Sequence, residues 1–188
     1  MARAGLTIDR LIEAGAKLAD EAGFEAVTPS ALAKQFDVKV ASLYSHVAGA
    51  NDIRVRIALY ALDKLADRIA DAIAGRASRD ALLALADAHR DFSRDHPGLF
   101  AATRHPLDTA SAAHSGGIRI AQAMRAVLQG YELDEGMQIH AVRLLGSVFL
   151  GFTMLESAGS FSHSLPLPQA SWQVTLDALH AMLCSLKK

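Results

Sequence analysis

The sequence predicts an all-α fold of about nine helices, the first three forming a compact N-terminal unit and the rest a bundle. Three observations carry this. Apolar residues recur at three- and four-residue intervals almost from end to end. No stretch of useful length alternates apolar and polar residues as a half-buried strand would, and no internal repeat is present. Alanine and leucine dominate a chain that is 51% hydrophobic, which favours helix and a packed core over disorder. At 188 residues there is material for a small domain and a larger one sharing a helix.

In the first segment Ile8, Leu11, Ile12, Gly15, Leu18, Ala19 and Ala22 fall on one stripe, and Gly23 closes it. Thr28-Pro29 opens a short second helix, Thr28 as the capping hydroxyl and Pro29 in the first turn. That helix carries Leu32, Ala33 and Phe36. Asp37 then suits a tight left-handed turn, and a third short helix is expected over about residues 40–47. Gly49, Ala50 and Asn51 interrupt the pattern. A long fourth helix follows, striped by Ile53, Ile57, Tyr60, Ala61, Leu65, Ile69 and Ile73, and ends near Gly75.

The fifth helix covers Ser78–Asp95 and is stopped by His96-Pro97-Gly98, with Leu99 and Phe100 in a short turn. A helical stretch from Pro106 ends near Gly130, weakened at Gly116-Gly117. Asp134 caps the next helix, which reaches about residue 158. A polar loop with Gly159, Pro166 and Pro168 leads to a last helix over roughly residues 169–186. The domain boundary is placed at the start of the long helix, giving residues 1–50 and 51–188, with that helix as the physical link.

A net charge of −1 excludes a uniformly basic coat, so any nucleic-acid contact must use a local patch. The single cysteine, Cys184, allows no internal disulfide and no cysteine-based zinc site, and a reducing cytoplasm is the simplest compartment. Of the eight histidines, His89 and His96 share roughly one helix side while His105, His114, His140 and His163 are scattered. No metal site or cofactor is expected. No phosphate loop, nucleophile elbow or metalloprotease motif is present, so the chain is not expected to be an enzyme. The N-terminus lacks an apolar run of signal-peptide length. The most apolar stretch, residues 144–155, is read as too short to span a bilayer, and no membrane partner is expected.

The informative stretch runs from Thr28 to Ile53. A short helix, a tight turn and a second short helix make a helix-turn-helix. Small Ala33 permits a close crossing, and Leu32, Val38, Leu43 and Val47 are expected to face inward and fix it. That frees Lys39, Val40, Ser42, Tyr44, Ser45 and His46 to project outward, where such residues enter the major groove of DNA. Ser42 and Ser45 can bond either base type. Lys39 reaches phosphate or guanine, and Tyr44 and His46 fit phosphate positioning. The plainer alternatives are that the Tyr44 ring packs the domain and that His46 ends a solvated helix.

Thr28-Pro29-Ser30-Ala31-Leu32-Ala33-Lys34, then Asp37-Val38, then Ser42-Leu43-Tyr44-Ser45-His46-Val47 resembles the DNA-binding domain of the tetracycline-repressor (TetR) family. In the C-terminal half His96-Pro97-Gly98-Leu99, Gly146, Gly151-Phe152, Glu156, Gly159, Phe161 and Leu176-Asp177-Ala178-Leu179 look like one subgroup of that family's regulatory domains, the WHG-like one. The resemblance implies a homodimer whose two third helices sit about 34–36 Å apart and read the half-sites of a palindrome. By position it assigns Ser30, Lys39, Ser42, Tyr44, Ser45 and His46 to the DNA face, and Thr28 and Val40 complete the set.

Two departures weaken the patch. Ala50 stands where the family often has a phosphate-binding lysine, and Asp37 stands for the usual turn glycine. Across residues 28–60, Lys34, Lys39, Arg54 and Arg56 oppose Asp37 and Asp52, a net of +2. Modest affinity follows, or reliance on Arg3 in an N-terminal arm.

In the second half the resemblance implies that the last two long helices build a four-helix interface with their mates. The candidates are Gly146, Phe149, Leu150, Trp172, Leu176, Leu179 and Leu183, with an ordinary intramolecular core as the alternative. A small apolar or amphipathic ligand is expected among the fifth to eighth helices. His89, Phe92, Phe100, Met124, Leu128, Phe149, Phe152 and Met154 are the candidate lining, and plain core packing is again the alternative. The expectation is therefore a cytoplasmic, ligand-responsive repressor that binds a palindromic double-stranded operator as a homodimer. The rival reading is a helical small-molecule-binding dimer that has lost DNA binding.

Overall fold

The computed structural model describes residues 6–186. They hold ten α-helices, two 3-10 turns and no strand. The helices are α1 Ile8–Ala22, α2 Pro29–Gln35, α3 Val40–Leu43, α4 Ala50–Ile73, α5 Ser78–Asp95, α6 Pro97–Ala102, α7 Thr109–Ala113, α8 Gly116–Leu128, α9 Glu135–Ser157 and α10 Pro168–Ser185, with 3-10 turns at Phe24–Ala26 and Gln129–Tyr131. The chain divides into two compact units. Unit 1 takes residues up to Lys64 with Asp95–Gly117, and unit 2 takes Leu65–Arg94 with the residues from Ile118 onward. This division does not fall at residue 50: α6 packs on α1 and the Phe24–Ala26 turn, and the segment Asp95–Gly117 that holds α6 and α7 groups with the first unit. The long helix α4 belongs to both units.

Unit 1 is built from capped short helices. The Thr7 hydroxyl accepts from the Arg10 amide and starts α1, and Gly23, at a φ of 89°, ends it. The Thr28 hydroxyl accepts from the Ala31 amide at 3.2 Å and starts α2, with Pro29 in the first turn. Asp37 takes a left-handed φ of 53° and turns the chain toward α3. Leu11, Ala19, Val27, Leu32, Leu43, Val47, Ile53 and Ile57 form the core.

Three expectations need correction here. Val38 is 36% exposed and lies outside the core, because the residue after a left-handed turn points where the turn sends it. The third helix is only Val40–Leu43. Beyond it the chain closes in a turn in which the Leu43 carbonyl accepts from both the His46 and the Val47 amides, while the Ser45 hydroxyl donates to the Ser42 carbonyl. Leu99 and Phe100 sit in a true helix, α6, with Pro97 in its first turn and the Asp20 carboxylate accepting from the Leu99 amide at 2.9 Å. That helix presses backbone to backbone against α1: a Cβ on Gly98 would run into the Ala19 carbonyl and the Asp20 amide.

The stretch from Pro106 breaks into α7 and α8. Asp108 caps α7, and Gly116 opens α8 where a Cβ would collide with the α4 backbone at Leu62. In unit 2, Asp134 caps α9 as expected. The reading of the apolar stretch as too short for a bilayer is also corrected. It extends into a 23-residue helix, long and apolar enough by length and composition to cross a membrane, and little of its most apolar window is buried.

Candidate nucleic-acid interface

Residues 39–47 are held to unit 1 by two side chains. Leu43 is fully buried and Val47 nearly so, against a core that includes Val27 and Leu32. With those two pinned, Lys39, Ser42, Tyr44 and Ser45 are exposed, and Val40 and His46 are half-buried. Tyr44 is 54% exposed, so its ring stands outside the core. Ser30 is exposed on α2, and the Thr28 hydroxyl is engaged in capping that helix. Arg3 lies outside the described residues.

The charges near this surface are more committed than the sequence count suggests. Arg54 pairs with Glu25 at 2.8 Å, and Arg56 pairs with Asp52 at 2.9 Å. Asp52 also accepts from the Ala48 amide at 2.9 Å. Lys34 and Lys39 remain exposed.

Unit 2 holds the residues assigned to a dimer face and, except for Phe100, those assigned to a ligand, and both sets change. Phe149, Trp172, Leu176, Leu179 and Leu183 are buried inside one chain and cannot form a face open to a second copy. Gly146 and Leu150 are half-buried. A Cβ added at Gly146 or Gly151 would meet nothing within 4 Å, so this part of α9 faces open space. Of the ligand candidates, His89, Phe92, Met124, Leu128 and Phe149 are buried in unit 2, with the His89 and Phe149 rings 6.1 Å apart. Phe152 is half-buried against Trp172. Phe100 belongs to unit 1, and Met154 is 44% exposed and points away from the core. Both leave the candidate lining.

A cluster that periodicity did not reveal organises the same unit. Arg90 is 2% exposed and grips the Glu156 carboxylate with two bonds, of 2.6 and 2.8 Å. Its third nitrogen donates to the Gln169 side chain at 2.7 Å, and its guanidinium lies over the Phe152 and Trp172 rings. Arg94 adds a second cation to Glu156 at 2.9 Å, and the Trp172 indole donates to Asp87 at 2.7 Å. Hydrogen bonding from Arg90 holds the Glu156 carboxyl below the usual glutamate range, against the opposing pull of burial. The signal in the sequence was Glu156 itself, a carboxylate closing an apolar helix. Among the described residues no group of three or more His, Cys, Asp or Glu side chains could hold a metal ion.

Comparison with known proteins agrees with this architecture. A family model described as tetracyclin repressor-like, C-terminal domain, matches residues 82–179. YobS of Bacillus subtilis (strain 168), an uncharacterized HTH-type transcriptional regulator, is 36% identical over 160 residues, covering 85% of this chain and 83% of that protein. ActR of Streptomyces coelicolor, solved in complex with (S)-DNPA, superposes with a TM-score of 0.71 at 18% identity, over 98% of this chain and 99% of that one. BioQ, solved with its double-stranded DNA operator, superposes with a TM-score of 0.67 at 22% identity, over 94% and 99%. With a helix-turn-helix in its first unit and a matching C-terminal half, the chain belongs to the tetracycline-repressor (TetR) family of DNA-binding transcriptional regulators.

Proposed function

We propose that this chain is a ligand-responsive repressor that binds a palindromic operator as a homodimer in the cytoplasm. The observation that carries the reading is the outward display of Lys39, Ser42, Tyr44 and Ser45 on a segment pinned by Leu43 and Val47. Hydroxyls and a cation on a short rigid segment suit base edges and phosphates. Thr28, Ser30, Val40 and His46 border the contact, and Arg3 extends it. The operator-bound BioQ supports the DNA partner, and ActR in complex with (S)-DNPA supports a ligand in the second half.

The second copy is placed on the outward face of α9 and α10. Val174 is 69% exposed, and Met154 and Leu155 are exposed as well. Gly146 and Leu150 belong to the same face of α9, and open space at Gly146 and Gly151 admits a close helix. Burial of this face against itself removes apolar surface from water.

The ligand is placed among His89, Phe92, Met124, Leu128, Phe149 and Phe152. The helix α4 then links the two roles, since its residues 50–64 belong to unit 1 and 65–73 to unit 2. A ligand that favours one setting of α4 shifts the population of dimers whose reading segments match the operator.

Fluorescence polarisation with a labelled duplex from the DNA flanking the protein's own gene tests the reading. At low salt the protein binds, and an unlabelled duplex of scrambled sequence competes poorly. A folded dimer that leaves the polarisation unchanged supports the rival reading, a small-molecule-binding protein without DNA affinity.

A further inference from the structure

We propose that Arg104, positioned by His105, is an additional phosphate contact of the DNA-binding surface, supplied from outside the three-helix head. The inference rests on the DNA-binding reading above. The first turn of α4, Ala50-Asn51-Asp52-Ile53, carries no cation. Its carboxylate, Asp52, is taken up by Arg56 and the Ala48 amide, and the next cation along, Arg54, is turned to Glu25. A phosphate arriving at this helix end therefore finds an acidic residue, and the two cations in the first two turns of α4, Arg54 and Arg56, are already paired.

The chain leaving α6 supplies one. The His105 ring nitrogen Nε2 lies 3.3 Å from the Asn51 side-chain oxygen, and the ring stands edge-on to Phe24 with centroids 5.7 Å apart. These two contacts dock His105 where the α1–α2 connection meets the start of α4, and Arg104 is the residue before it in the chain. Arg104 is exposed. Its guanidinium lies over the Phe100 ring, 5.1 Å from the centroid, and donates to the Phe100 carbonyl at 2.9 Å. No carboxylate among the described residues pairs with it, and the one resolved influence on its pKa is partial burial, which lowers it. By contrast Arg54, Arg56, Arg79, Arg94 and Arg119 each hold a carboxylate.

A guanidinium stays charged at any working pH, and its planar fork matches phosphate oxygens. Holding the stem against Phe100 limits the freedom lost when a phosphate binds. The geometry thus gives this chain, through α6, the cation that Ala50 withholds.

The test is the salt dependence of binding to the same gene-flanking duplex. Arg104→Met removes the charge and keeps a stem to cover Phe100, whereas Arg104→Lys keeps the charge. For Arg104→Met the slope of log affinity against log salt falls by about one per chain, with roughly tenfold weaker binding at low salt. For Arg104→Lys the wild-type slope is retained. A wild-type slope in a folded, DNA-binding Arg104→Met protein overturns the inference alone. Wild-type protein that binds no duplex overturns the reading beneath it, and the inference with it.

Discussion

The two units place their charges in opposite ways. In unit 1 the apolar Leu43 and Val47 go inside, and the polar Lys39, Ser42, Tyr44 and Ser45 stay in water. In unit 2 a cation, Arg90, and its carboxylate partner go inside among Phe152 and Trp172, while Val174, Met154 and Leu155 remain outside. A polar exterior on a short pinned segment is a surface made for a polar partner. An apolar exterior around a charged, aromatic interior leaves surface in water that burial against a second copy, as proposed, would remove. The comparison supports the two partners proposed above: nucleic acid for the first half of the chain, another copy for the second.

The largest expected effect comes from breaking the buried pair. Glu156→Gln leaves Arg90 charged and almost wholly desolvated, at a cost of about 3–5 kcal/mol in urea-denaturation stability. The pH dependence has a fixed sign. The folded-state pKa of Glu156 is depressed, so its contribution is complete above the ordinary glutamate range and is lost as pH falls through the lower folded value. Wild-type protein therefore loses stability on acidification through that window, and Glu156→Gln loses less. An equal loss in both would show that the pair is not what acid breaks.

Next in size is the apolar exterior. Val174→Asp puts a charge on the outer face of α10, and sedimentation should register single chains of 20.0 kDa. Operator affinity then falls by about a hundredfold or more, because two linked half-site contacts become one. An unaltered dimer would move the interface elsewhere.

The polar exterior of unit 1 responds more mildly. Tyr44→Ala weakens DNA binding by about tenfold and alters thermal stability by less than about 0.5 kcal/mol, since the residue is 54% exposed. A large stability loss would return Tyr44 to the core. Smallest of all is Asp37→Gly. It suits the left-handed turn, removes a negative charge near DNA, and raises affinity by about two- to threefold in a low-salt titration.

Much of the fold was legible because its punctuation is local. Thr28, Pro29, Asp37 and Asp134 act within three or four residues of themselves, and each does in space what its chemistry suggests. The outward set from Lys39 to Ser45 followed from Leu43 and Val47 for the same reason. Val38 was misread because a left-handed residue before it resets the direction that helical periodicity would assign. The faces of α9 and α10 were illegible for a different reason. Both helices are apolar on more than one side, so spacing alone cannot say which side turns inward. That choice is made by pairs far apart in sequence, Arg90 with Glu156 and Trp172 with Asp87, and such charged residues look like a solvated face when read along the chain. Phe100 was misplaced because α6 is clasped to α1 through Gly98 and Asp20, a contact no local pattern records.

Hydroxyl-radical footprinting of the gene-flanking duplex tests the central claim most directly. Two protected blocks of equal depth, centred one helical turn or about 34–36 Å apart, are expected with wild-type protein. A single block, or cleavage unaltered at saturating protein, would contradict it.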